Sequence, residues 1–148
     1  MVSNPQYRDS ANLRARTRLY ELFDANGIDW NRWVFDQLDL PDAARVLELG
    51  CGSGNLWLRN SDRIPSGWRI TVTDLSEGMI EEAQTNLRGR GSNFSFDVLD
   101  AHTIANVPDS FDGVIANHML YHMDDREKAF SAIRSVLKDS GSLYAATN

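Results

Sequence analysis

An α/β fold built on a parallel sheet is what this sequence predicts, and three observations predict it. From Arg45 onward, short apolar runs closed by Gly or Asp alternate with helically periodic stretches, the rhythm of strand-helix-strand units. The length of 148 residues holds one domain at a prior of roughly 150 residues each. The composition, 42% hydrophobic and 24% charged with 10 Gly and 4 Pro, provides for one packed core and lacks the bias of a disordered or fibrous chain. A single domain over residues 1–148 follows, with a helical cap at 1–44 and the sheet-bearing core at 45–148.

Two helices are expected first. Between Ser10, a candidate N-cap, and Phe23, the residues Leu13, Thr17, Tyr20 and Phe23 recur at the spacing of one helical face. Asn26-Gly27 breaks that helix, and Asp29 can cap a second one carrying Trp30, Trp33, Val34 and Leu38 on a stripe before Pro41. Five strands are then expected at 45–49, 69–73, 94–97, 113–116 and 142–146. Asn55-Leu56-Trp57-Leu58 can open a helix after the first strand. Ser76 caps a helix presenting Met79, Ile80, Ala83 and Leu87, which Gly89 stops. Asp124 with Glu127 forms a capping box for a helix whose buried face is Phe130, Ile133, Val136 and Leu137, with Gly141 as its C-terminal cap.

Several function classes are disfavoured. The longest strongly apolar runs, such as 113–116, fall far short of the roughly 18 residues that span a bilayer, so no membrane partner is expected. A net charge of -6 opposes a phosphate backbone, so no nucleic acid is expected either. Cys51 is the sole cysteine, which removes internal disulfides and multi-cysteine zinc sites, and no metal is assigned. Met1-Val2-Ser3-Asn4-Pro5 lacks the basic and apolar regions of a signal peptide, so a cytoplasmic location is expected.

Directly after the first strand comes Glu48-Leu49-Gly50-Cys51-Gly52-Ser53-Gly54. A glycine-rich strand-to-helix turn lets a ligand approach the backbone and aims free amides at negative charge. The dinucleotide fingerprint needs a third glycine where Asn55 stands, so a nicotinamide cofactor is disfavoured. A carboxylate at Glu48 would repel a diphosphate and attract an ammonium or sulfonium group. Asp74, ending the second strand, can accept hydrogen bonds from both hydroxyls of a ribose. Asp100, after the third strand, could accept from the exocyclic amino group of an adenine. Adenosine joined to an amino acid is the composite ligand.

Those residues carry a resemblance. Val46-Leu47-Glu48-Leu49-Gly50-Cys51-Gly52-Ser53-Gly54, Asp74-Leu75-Ser76 with Met79, Asp100-Ala101, Phe111-Asp112-Gly113-Val114 and Val136-Leu137-Lys138 with Gly141 stand in the order and spacing of class I S-adenosylmethionine-dependent methyltransferases. The match runs from Arg45 to Thr147. It implies a Rossmann-like parallel sheet in the order 3-2-1-4-5, with helices on both faces and two N-terminal helices. It also implies S-adenosyl-L-methionine as cofactor. Gly50, Gly52 and Gly54 would wrap its methionine moiety, with Cys51 a small residue that fits the bend, and Glu48 would lie near its amino group. Asp74 would take the ribose, Leu75 and Met79 would flank the adenine, Asp100 with Ala101 would read its edge, and Asn117 joins the cofactor set.

Relatives usually carry seven strands, so this chain is expected to lack strands 6 and 7, and with them part of an acceptor pocket. Strand 5 would then be a sheet edge open to self-association. After strand 4, Asn117-His118-Met119-Leu120-Tyr121-His122 occupies the carboxyl edge where ligands of open α/β sheets sit. His118 or His122 is a candidate general base, against packing, capping or cofactor contact as the plainer reading. Sharing a helical face as metal ligands is weaker still, since no carboxylate or cysteine completes the set. A reactive thiolate at Cys51 is weighed against simple fit, and Trp30 and Trp33 as lid or substrate contacts against core packing. The expected activity is methyl transfer to a small-molecule acceptor; the alternative is a cofactor-binding or interaction module without turnover.

Overall fold

The computed structural model describes residues 27–91, 93–106 and 110–147. The helix expected over Ser10 to Phe23 lies outside them. The first described helix, α1 (Trp30–Asp36), forms because the Asp29 side chain accepts from the N–H groups of Asn31 and Arg32. It buries Val34, while Phe35 and Leu38 pack against the same core.

The rest alternates as expected: β1 (Arg45–Leu49), α2 (Asn55–Leu58), β2 (Arg69–Asp74), α3 (Glu77–Leu87), β3 (Asn93–Val98), a 3-10 turn at Ala101–Asn106, β4 (Phe111–Asn117), a second 3-10 turn at Leu120–His122, α4 (Arg126–Val136) and β5 (Leu137–Ala146). All neighbours are parallel and the order is β3-β2-β1-β4-β5. The alternation of side chains along β1 divides the interior in two. Val46 and Glu48 share one face with Ile70, Val72 and Ile115, covered by α1, α2 and the end of α3; Leu47 and Leu49 face Ile104, Ile133 and Val136 on the other.

Four local expectations change. Helix α4 is capped by Asp125, not Asp124: the Asp125 carboxylate accepts from the Lys128 N–H at 2.9 Å, three residues on, where an N-cap oxygen reaches. Phe130 is exposed rather than buried, because the inward face of α4 falls on Ala129, Ile133 and Val136. The backbone turns extended at Leu137, so Leu137 opens β5. Gly141 lies within that strand, where the register shifts between Phe111 and Gly113, rather than capping a helix. A Cβ on Gly141 would stand 2.8 Å from the Phe111 carbonyl oxygen, which accounts for glycine at this crowded bulge. Trp30 and Trp33 remain partly exposed instead of joining the core.

Candidate functional site

The loop following β1 is held on three sides. Gly50, Gly52 and Gly54 take φ values of 69°, 55° and 78°, the left-handed region in which a side chain is strained. A Cβ on Gly50 would lie 2.9 Å from the Cβ of Met119, in the segment after β4. On Gly54 it would lie 3.3 Å from the Cβ of Ala83 in α3. Beneath the loop, Cys51 donates its N–H to the Thr73 carbonyl at 2.9 Å.

Asp74 ties two loops together. One carboxylate oxygen accepts from the Gly52 N–H at 2.9 Å and the other from the Ser76 N–H at 2.9 Å. Its carbonyl accepts from the Leu99 N–H at 3.0 Å, which brings the loop after β3 to the same edge. The Ser76 hydroxyl in turn caps α3 by accepting from Met79 N–H. The ends of β1, β2 and β3 thus converge on one residue, Asp74, the first through its carboxylate and the last through its carbonyl.

Glu48 departs from the simplest expectation of an ionised flank. Its side chain is buried, and one oxygen accepts from the indole N–H of Trp57 at 2.6 Å. Burial pushes its pKa up to about 8; the Trp57 bond opposes that, and the nearby Asp74 charge adds to it. At neutral pH the group is therefore mostly protonated until a cation comes close. The Cys51 thiol is also driven far upward, first by burial and then by the charges of Glu48 and Asp74, so it does not form a reactive thiolate. Its sulfur instead donates to the Gly52 carbonyl at 3.2 Å.

Asp100 accepts from the backbone N–H of His102 at 2.9 Å and contacts the His102 ring nitrogen at 2.8 Å, both through the same oxygen. The backbone bond is the main reason that its pKa falls below the ordinary carboxylate value. Leu75 stands 65% exposed beside Asp74, whereas Met79 is buried within the core and Ala101 is partly buried. Val98, the register partner of Asp74 in β3, is 47% exposed and is a second exposed apolar side chain at this edge that sequence reasoning missed. Its signal was an apolar residue ending a strand beside the acidic one.

Asn117 ends β4, partly buried. His118 follows with φ of 53°, among the described residues the sole non-glycine residue with positive φ. Its N–H donates to the Ala146 carbonyl at 2.8 Å, and its ring lies 5.4 Å from that of Trp30. His122 belongs to the 3-10 turn, with its ring 4.2 Å from Tyr121. His118 lies just past the end of β4 and outside any helix, whereas His122 ends the 3-10 turn, so they share no helical face. Among the described residues, no three His, Cys, Asp or Glu side chains are grouped to hold a metal ion.

Residues 46–141, about two thirds of the chain, match the methyltransferase domain family. The chain belongs to that family. This methyltransferase domain is 37% identical over 100 residues to the malonyl-[acyl-carrier protein] O-methyltransferase of Geobacter sulfurreducens, an alignment covering 68% of this chain and 37% of that protein. Among solved structures, an S-adenosylmethionine-dependent methyltransferase from Clostridium acetobutylicum superposes with a TM-score of 0.71 at 21% identity, covering 92% of this chain and 57% of that one. The putative methyltransferase in complex with the Haloferax volcanii Trm112 methyltransferase activator gives 0.73 at 24% identity, over 99% and 62% of the two chains. Both likenesses show the Rossmann-like fold of class I methyltransferases, and the family's cofactor is S-adenosylmethionine. The chain spans about two fifths of the length of the first curated relatives that it matches.

Proposed function

We propose that this methyltransferase domain binds S-adenosylmethionine across the carboxyl ends of β1, β2 and β3 and transfers its methyl group to a small-molecule acceptor. The convergence of the left-handed glycine loop and the Asp74 carboxylate at one edge carries the reading. The donor set suits the ligand. Gly50 and Gly52 hold the loop backbone in the left-handed bend that would receive the amino-acid tail, and Glu48 and Asp74 supply carboxyl groups for an ammonium and for ribose hydroxyls. Leu75 and Val98 offer apolar walls to a flat base, with Asp100 and Ala101 at its edge; Cys51, Gly54, Met79 and Asn117 complete the frame.

Bound S-adenosylmethionine supplies an electrophilic methyl on a sulfonium, so the chemistry asked of the protein is alignment and exclusion of water. The loop orients the tail, Asp74 fixes the ribose, and the segment from Asn117 to Met119 meets the acceptor side. The test is calorimetry with S-adenosylhomocysteine and with NAD, followed by tritium transfer from labelled cofactor into a metabolite extract. Binding of NAD alone would overturn the assignment.

A cofactor-binding module without turnover is the second reading; binding without tritium transfer would select it. We also propose β5, the last strand in the order β3-β2-β1-β4-β5, as a surface for self-association, tested by sedimentation of the 148-residue chain and of Leu143→Pro. A cytoplasmic setting, with no nucleic-acid partner, belongs to the same proposal. Among the described residues, no helix is long and apolar enough to cross a membrane.

A further inference from the structure

His118 is the strained residue at the acceptor side of the site, and three observations meet on it. Its φ of 53° is held by the bond from its N–H to the Ala146 carbonyl and by the neighbouring Met119, which abuts Gly50. The ring leans on Trp30 at 5.4 Å, and Trp30 stacks on Trp33 at 5.2 Å with an interplanar angle of 28°. The two indoles, 42% and 44% exposed, form an apolar shelf left open beside the cofactor edge. Finally, His118 Nδ1 is buried without a hydrogen-bond partner.

That orphan nitrogen decides which way the ring works. A buried N–H without an acceptor is rarer and costlier than a buried bare lone pair, so Nδ1 carries no proton and Nε2 does. Protonating the ring would place an unpaired N–H at Nδ1, in keeping with the downward effect of burial on its pKa. A neutral imidazole protonated at Nε2 donates from that edge and has no free base there. His118, neutral in this tautomer, offers a hydrogen bond and no charge, and the indoles beside it are apolar, so the pair suits an uncharged ligand.

Resting on the proposed function, we infer that the Trp30–Trp33 shelf and His118 form the acceptor subsite. It takes a planar, uncharged aromatic compound, whose body lies on the indoles and whose carbonyl or ether oxygen accepts from His118 Nε2–H. His118 is then a binding and positioning group rather than a general base.

The test uses the 148-residue chain in two stages. First, nitrogen-15 NMR of the imidazole reads the tautomer without any ligand; protonation at Nε2 is expected, and protonation at Nδ1 overturns the inference. Second, with S-adenosylhomocysteine bound, coumarin and naphthalene are titrated as probes of equal outline, one with a carbonyl oxygen and one without. Coumarin is expected to bind about 2–10-fold tighter, the worth of one neutral hydrogen bond. His118→Asn tolerates the left-handed backbone but draws the donor back, and should erase that difference. Trp30→Ala should weaken both probes. Equal binding of the two probes by the parent chain, or an undiminished preference in His118→Asn, overturns the subsite. Failure of S-adenosylhomocysteine to bind before any probe is added overturns the functional reading itself, and the tautomer result separates the two.

Discussion

Replacing Glu48 by Gln should change how the stability of this domain depends on pH. The native carboxyl has its pKa raised from 4.5 to about 8 by burial. The folded protein therefore holds a proton that the unfolded chain releases between those values. Stability from this group is complete below pH 4.5 and declines as pH rises toward 8. At ~1.4 kcal/mol per unit of difference, the loss reaches ~3 kcal/mol by pH 7, most of it incurred between pH 5 and pH 7. Glutamine keeps a carbonyl oxygen for the Trp57 indole, whose bond to the carboxyl is 2.6 Å long, and cannot titrate. Urea unfolding at pH 5, 6, 7 and 8 should then show the parent losing stability across the series while Glu48→Gln loses markedly less. Carboxylates with lowered pKa, such as Asp100 and Asp112, act below pH 3.8, and the buried His118, which adds stability as pH rises toward its unfolded value of 6.5, is common to both proteins and cancels in the comparison. Parallel pH profiles for the two proteins would refute the argument that burial keeps Glu48 neutral.

Three further outcomes are expected. If the ammonium of the cofactor's tail sits against Glu48, binding of S-adenosylhomocysteine at pH 7 should release a proton, read as a dependence of calorimetric heat on the buffer's ionisation enthalpy; no such dependence would place the tail elsewhere. Gly50→Ala should cost ~2–4 kcal/mol in urea unfolding, since it adds a contact of 2.9 Å with Met119 to backbone strain at φ of 69°. Gly89→Ala, at φ of 73° with nothing within 4 Å of its Cβ, should cost only ~1 kcal/mol. Asp112→Ala should cost ~1–3 kcal/mol by orphaning the Arg45 N–H that it holds at 2.8 Å, whereas Lys138→Met, removing its exposed ion-pair partner, should cost under ~1 kcal/mol. Burial alone would raise the Asp112 pKa, but the Arg45 N–H and Lys138 outweigh it. The stability it contributes is therefore present above pH 3.8 and is lost as pH falls through its lowered native value.

Glycine and aspartate at the ends of apolar runs made the sheet legible, because those residues close strands for local reasons. Strand order followed from the resemblance, and the register of β1 against β2 then placed Glu48, Gly52 and Asp74 within reach of one another. Caps were less legible. Asp124 and Asp125 stand side by side, and the choice between them was made by which oxygen met a free N–H, at Lys128. Phe130 looked buried by periodicity, yet the helix turned Ala129 inward. The span from Leu137 to Gly141 looked helical because Val136-Leu137 continues the stripe, but pairing with β4 drew it into a bulged strand.

By itself, the sequence determined the class of fold, the order of its elements and the identity of the residues around the glycine loop, since these rest on short-range spacing and backbone freedom. Protonation and exposure it could not determine. That Glu48 is neutral, that the Cys51 thiol is inert, that Val98 joins Leu75 at the edge and that His118 faces two indoles were decided by tertiary structure. Desolvation and stacking depend on neighbours far apart in the chain.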